Sequence, residues 1–183
     1  MQLGLERGTV TLLPHREEWH QLFADGRDHI LDAIGDHSFP VEHIGSTAIC
    51  GIVAKPILDI MIGTPEYTPE LPFVAALEAI GYEYKGENGV PERHFFGKGV
   101  PRTVHLNVVR FGGKFWLSHT AFREYLKHDR NAALEYERLK LSLAERFAND
   151  RESYTNGKLA FVEKILESAV TDGISDRALE FFS

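Results

Sequence analysis

Cysteine is all but missing from this sequence: Cys50 stands alone among 183 residues, so no intrachain disulfide can form. A single thiol fits a reducing compartment, and the expected location is the cytoplasm. Long apolar runs are missing too. No stretch reaches the roughly 18 residues that mark a transmembrane helix, so no membrane association is expected. The opening MQLGLERGTVTLLPH lacks a basic segment followed by an apolar one, and no secretory signal is expected there. Positive charge is in deficit as well, with 20 Lys and Arg against 27 Asp and Glu and a net charge of −7. That balance argues against broad binding to nucleic acid or to an anionic membrane, because phosphate contacts need clustered basic surface. It leaves room for a local basic pocket around a small phosphorylated ligand.

What is present is an ordinary globular composition, 43% hydrophobic and 26% charged, in a chain long enough to bury a core without disulfide or metal staples. Residues 9-TVTLLP-14 read as a short edge strand closed by Pro14. Trp19, Leu22, Phe23, Ile30, Leu31 and Ile34 recur at helical spacing through 16–35, with Gly35 as the stop. Strands are expected at 39–45 and at 57-ILDIMIG-63, the latter apolar enough to be covered on both faces. A helix is expected over 68–85, ending near Gly81 and giving way to a strand at Tyr82 and Tyr84. The Gly- and Pro-rich run 86–102 reads as a loop broken by a short strand at His94–Phe96. In 103-TVHLNVVRF-111, alternation places His105, Asn107 and Val109 on one face and Leu106 and Val108 on the other. Helices are then expected at 117–129, 131–150 and 152–170. These elements give an α+β chain: a mixed β-sheet with helices over residues 1–115, followed by a helical region at 116–183 that packs on it, with one compact domain as the alternative.

One stretch is chemically odd. In 43-HIGSTAICGIVAKPILDIMIG-63 a lone carboxylate, Asp59, sits among aliphatic residues downstream of a Gly-Ser turn. A buried charge needs partners, so Asp59 is either a satisfied structural group or a ligand-binding acid. The same stretch, together with 93-RHFFGKG-99, 105-HLNVVRFGGKFW-116, 120-TAFREYLKHDRNAALEYERLK-140 and 154-YTNGKLAFVEKI-165, resembles the GrpB family, a branch of the nucleotidyltransferase superfamily. The resemblance runs in order along nearly the whole chain. It implies a nucleotidyltransferase-like sheet, and with it a strand, a Gly-Ser turn, and a second strand carrying carboxylates that hold divalent metal at a nucleotide's phosphates. Carboxylates one residue apart on a strand share a face, and magnesium takes oxygen ligands, which is why that chemistry uses that spacing.

On this sequence the resemblance implies phosphate contacts at Gly45, Ser46 and Thr47, with Lys55 close by. Asp59 becomes the first carboxylate and a ligand to one magnesium or manganese ion. Two departures stand out. Met61 occupies the second carboxylate position, and Asn107 stands in His105-Leu106-Asn107 where an acid, or a second histidine, belongs. A two-carboxylate engine is therefore not expected. Asp59 and His105, with His43 as a further candidate, are left to hold one metal or a polar ligand. Arg93 is a candidate clamp for phosphate or carboxylate, since arginine binds such groups through two parallel hydrogen bonds. On the helical side, Tyr136 and Lys140, and Tyr154 and Lys158, lie four residues apart and share a helix face. Lys140, Tyr154 and Lys158 are candidate ligand contacts, although Tyr136 also belongs to an apolar stripe. Arg123, in AFREYL, is a similar candidate contact with an ion-pair partner as the alternative, and Cys50 reads as a small loop residue.

The expected partner is a nucleotide or small phosphorylated metabolite, bound with one divalent metal, whose nucleotidyl group passes to a small acceptor. Two alternatives stay open: a ligand-binding or regulatory module without turnover, and a different group transfer or ligation using His105 or His43 as general base. Neither charge nor length fixes the oligomeric state, and the apolar tail 178-ALEFFS-183 either packs on a partner or folds back.

Overall fold

The computed structural model describes residues 3–6 and 8–175; the apolar tail at 178–183 lies outside that range. The described chain is mixed α+β. Helix α1 (Glu18–Ile34) leads to β1 (Val41–Ile44), a 3-10 turn at Ser46–Ala48, and β2 (Leu58–Thr64). Then follow α2 (Val74–Ala79), β3 (Tyr82–Tyr84), β4 (Arg93–Lys98) and β5 (Val104–Arg110). Four helices close the chain: α3 (Lys114–His128), α4 (Arg130–Arg146), α5 (Arg151–Asn156) and α6 (Leu159–Thr171). The strands form one five-stranded sheet in the order β1-β2-β5-β4-β3. Its central pair, β2 and β5, is parallel and its other pairs are antiparallel.

The alternation of β2 decides what each face of the sheet does. Leu58, Ile60 and Ile62 point to the side covered by α1 and α2, where they join Trp19, Ile30, Leu77, Leu106 and Val108 in one apolar cluster. Asp59 and Met61 point to the other side, where Met61 packs with Ile44, Val109 and Trp116 at the start of α3. Both faces of the strand are thus covered, as its apolar run predicts. A second large cluster lies among α3, α4 and α6, built on Ala121, Tyr125, Tyr136, Phe161 and Ile165, and it takes in Ile49 and Ile52 from the loop between β1 and β2. That loop is therefore held by the helical half. Glu137 of α4 accepts a hydrogen bond from the Val53 amide at 2.7 Å, and Lys140, one turn on, donates to the Val53 carbonyl.

Four expectations need correction. Residues 9–14 are extended but form no strand in the sheet: they make an isolated bridge from Leu13 to Ala54 and a hydrogen bond from the Val10 amide to Ala148. Their apolar character serves a cluster with Leu143 and Tyr154 instead. The helix expected over 68–85 shrinks to Val74–Ala79, because Pro69 and Pro72 cannot donate to a helical ladder. The last expected helix is two, α5 and α6, separated at Gly157 and Lys158. A Cβ at Gly157 would lie 2.5 Å from the Leu143 side chain of α4, so the bare backbone allows that close approach. The strand expected at His94–Phe96 is longer, Arg93–Lys98, since it pairs with β3 on one side and β5 on the other.

Candidate functional site

Asp59 owes its position to three neighbours. The parallel register sets it level with His105 on β5, and a 2.9 Å hydrogen bond joins His105 Nδ1 to Asp59 Oδ1. Gly45 crowds the other oxygen: a Cβ there would sit 2.5 Å from Asp59 Oδ2, and the backbone has φ +69°. Both the close approach and the left-handed conformation call for glycine. Burial pushes the Asp59 carboxyl up, but the His105 hydrogen bond and charge, with Lys55 and Lys158 beyond, outweigh it and hold the group below its ordinary value. The carboxylate is therefore ionised and accepts from Nδ1–H; whenever the ring carries no second proton, Nε2 is an acceptor.

Around this pair the helical half gathers cations. Lys55, in the loop before β2, and Lys158, at the break between α5 and α6, both lie over the ring of buried Tyr154, at 5.3 and 4.7 Å from its centroid. Lys140 lies over Tyr136 at 4.6 Å and is almost wholly buried, with 1% exposure. Burial, the neighbouring charges of Lys158 and Lys55, and only partial relief from Glu137 bring Lys140 down to about 7. Lys158 is lowered to about 8 by burial and by Lys55 and Arg151, with Asp59 opposing. Lys55 is lowered by burial and by Arg151, again with Asp59 opposing. Burial also pushes the Tyr136 hydroxyl up to about 12, with Ser46 within reach of it. Aromatic faces are standing in for counter-charge here, since cations over a ring quadrupole are partly stabilised.

Lys55, His105 and Arg151 open into a cleft of about 430 Å³, bounded by Phe95 and by the loop at Gly99–Arg102. A slightly larger groove of about 500 Å³ beside Trp19 and Leu22 is lined mainly by apolar residues, with Arg16 and Glu18 at its edge. It holds none of this chemistry.

Gly45, Ser46, Lys55, Asp59, His105, Lys140, Tyr154 and Lys158 thus converge. Others do not. Thr47 is 1% exposed and spends its hydroxyl on His43 Nε2 at 2.9 Å, so it turns away from the turn's open side. His43 pairs with Ile60 in the sheet and stacks on Phe23, on the face opposite Asp59. Burial holds it near a pKa of about 3, so it is neither a metal ligand beside Asp59 nor a base there. Arg93 shares the Asp59 face, but its donors go to the Glu87 and Asn88 carbonyls and to Asn107 Oδ1. It holds a loop rather than standing free over the cleft. Asn107 donates in turn to the Ile60 carbonyl and is structural. Of the two readings of Arg123, contact or ion-pair partner, the structure shows ion pairs, to Glu42 at 2.6 Å and to Glu124 at 2.6 Å.

Two residues escaped the sequence reading. Arg151 precedes Tyr154 by three positions as Tyr154 precedes Lys158 by four, a spacing that would put all three on one face of a continuous helix and was the available signal, although the helix breaks before Lys158. His119, stacked on Phe115, is near enough to Asp59 and Arg93 to feel both charges. No local pattern marks it.

The donor set bears on metal. With Met61 fully buried and Asn107 committed, no second oxygen ligand stands beside Asp59, and a two-ion centre does not fit. Among the described residues no hydrogen bond reaches Asp59 Oδ2. A single oxygen-seeking ion fits there if phosphate and water complete its shell, as magnesium often arranges.

Fold and site together define an α+β protein with a mixed five-stranded sheet and a group of cations, from the loop before β2 and from the helical half, beside Asp59. The chain belongs to the GrpB family: the pattern of "GrpB protein" matches residues 9–168. It is 36% identical over 170 residues to "Glutamate-rich protein GrpB" of Alkalihalophilus pseudofirmus, covering 90% of this chain and 98% of that one. It is also 36% identical over 166 residues to a UPF0157 protein of Pseudomonas aeruginosa, covering 88% and 68%. The crystal structure of conserved protein GrpB from Enterococcus faecalis superposes with a TM-score of 0.82 at 31% identity, over 90% of this chain and 100% of that one. Among the described residues no helix is long and apolar enough to cross a membrane.

Proposed function

We propose that the cleft binds the phosphates of a nucleotide or small phosphorylated metabolite, on a nucleotidyltransferase-like fold, and presents them for transfer of a nucleotidyl group to a small acceptor. The observation that carries this reading is the surplus of cations. Lys55, Lys140, Lys158 and Arg151 are close enough to perturb one another. The carboxylates that act on the buried lysines, Asp59 and Glu137, are already engaged by His105 and by the Val53 amide, and of the two glutamates that line the outer cleft, Glu6 and Glu83, Glu83 pairs with Lys85 and Arg102. Cations held together at such cost, two of them with strongly lowered pKa values, fit a site whose missing partner is a polyanion. Ser46, at the start of the 3-10 turn, stands on the same side and adds a hydroxyl. A single divalent ion on Asp59 Oδ2 would supply further neutralisation of phosphate charge.

A second reading rests on Met61 and Asn107. Burial of an apolar and an amide side chain at the two acid positions favours a pocket that binds without metal-driven turnover, or one that uses His105 instead. An imidazole oriented by a carboxylate through Nδ1, with Nε2 left as acceptor, is the arrangement of a general base. Such a base would serve group transfer or ligation in the same pocket.

Calorimetric titration of ATP, CTP, GTP and UTP, with and without magnesium or manganese, into wild type and Lys158→Ala separates these. Binding weakened about tenfold or more in the variant, as loss of a charged phosphate contact predicts, supports the cationic cleft. Pyrophosphate release would support nucleotidyl transfer, and binding without it the second reading. No nucleotide binding in either protein would end the nucleotide proposal.

A further inference from the structure

On the opposite side of the sheet from Asp59, the loop that follows the Gly-Ser turn meets the start of α1. Three side chains converge there: His15, just before the helix, His20 in its first turn, and Cys50 after the 3-10 turn. Their ligand atoms all lie within 4.8 Å of one another. His20 Nε2 is 3.4 Å from Cys50 Sγ. His15 has an 8% exposed side chain, yet neither of its ring nitrogens has a hydrogen-bond partner. An imidazole–thiol contact accounts for His20 and Cys50 alone. It leaves unexplained why a second imidazole is buried beside them with both nitrogens orphaned, an arrangement that carries an uncompensated desolvation cost.

We propose that His15, His20 and Cys50 form a binding site for a borderline-soft transition metal ion of the zinc(II) class. Two imidazoles and a thiolate are the donors such ions select, in contrast to the oxygen ligands of magnesium. The spacing agrees. Zinc–nitrogen and zinc–sulfur bonds of about 2.05 and 2.3 Å at a tetrahedral angle set those ligand atoms about 3.5 Å apart. The His20–Cys50 pair is already at that separation, and His15 needs a small side-chain adjustment to complete the set. Surrounding contacts hold the site in place: Arg130 donates to the carbonyls of Cys50 and Gly51, and the His15 ring meets Trp19 edge-on at 5.6 Å. Three protein ligands leave a fourth position for water or an incoming group. The ion would join the start of α1 to the loop that begins at Gly45 and Ser46, bracing the turn of the cationic cleft from behind.

The full-length protein, free of any affinity tag and stripped with chelator, would be titrated with zinc(II) and with cobalt(II) as its spectroscopic substitute. The expected result is one zinc per chain, tetrahedral ligand-field bands and a thiolate-to-cobalt charge-transfer band, and a higher Tm with zinc. In Cys50→Ser, an exposed position where folding is not at risk, the charge-transfer band should vanish. Zinc affinity should fall by more than about tenfold, the scale seen even for changes outside the ligand set. His20→Gln should lose the zinc-dependent rise in Tm. Absence of the cobalt–thiolate band in wild type, or equal zinc affinity in wild type and Cys50→Ser, would overturn the proposal.

Discussion

Lys140 is the residue in which structure and charge disagree most openly. Its ammonium is buried on α4 with one protein acceptor, the Val53 carbonyl, and with Tyr136 beneath it. A lysine whose folded pKa is about 7 against an ordinary 10.5 binds fewer protons folded than unfolded across that window. Stability from this group therefore rises with pH between those values, and below about 7 the folded protein carries the full cost of the buried charge. Lys140→Met should accordingly raise the Tm of the ligand-free protein, more at pH 6 than at pH 10, where wild type is already largely neutral at this position. The gain should stay modest, about 1–2 kcal/mol at the lower pH, because Val53 loses its donor. Thermal denaturation at the two pH values checks this, and equal shifts at both would show that Lys140 titrates normally. The sequence pointed to this lysine through its four-residue spacing from Tyr136, but its burial comes from α4 packing over a loop 87 residues earlier. No local pattern encodes that contact. His119 and Arg93 make the same point in opposite directions: one joins the Asp59 neighbourhood without a motif, while the other lies within a quoted motif and holds a loop.

Among the elements, those whose periodicity matches their burial were legible: α1 with its stop at Gly35, β2 with both faces covered, and β5 with His105 and Asn107 on one side. Two that failed were decided by contacts far away in sequence, residues 9–14 against Leu143 and Tyr154 and the break at Gly157 against α4, whereas the helix expected over 68–85 was cut short locally by Pro69 and Pro72. Arg123 shows how one side chain fixes the placement of an element. It leaves α3 to pair with Glu42 and to donate to the His43 carbonyl at 2.8 Å, tying the helix to the edge strand β1, which holds its sheet neighbour on one side only. Its side chain is 11% exposed, against 34% for Glu42, so the pair is largely, though not wholly, shielded from solvent. Arg123→Ala should destabilise the fold by about 2–3 kcal/mol, between surface and fully buried pairs, because Glu42 and the His43 carbonyl lose their donor together. Urea denaturation measures it directly. A change below 0.5 kcal/mol, the ordinary scale of an exposed substitution, would mean that α3 is held by its apolar face alone.

At the scale of the whole molecule, a chain of net charge −7 gathers four cations close enough to perturb one another, and that contrast has a measurable consequence. In the free protein Lys140 and Lys158 titrate near 7 and 8, so at pH 8 much of their charge is absent. A bound polyphosphate favours the protonated form of both, which raises their pKa values and draws protons from solution as it binds. Uptake should approach about one proton per ligand at pH 8, and affinity should strengthen as pH falls from 9 toward 7. The ligand's own secondary phosphate pKa, near 6, lies below this range, so its titration does not mimic the effect. Titration calorimetry at pH 8 in two buffers of different ionisation enthalpy reads the uptake directly. Proton release, or no linkage at all, would mean that the anion does not meet these lysines. Uptake that loses its larger share in Lys140→Met and a smaller share in Lys158→Ala would assign the protons to the two groups.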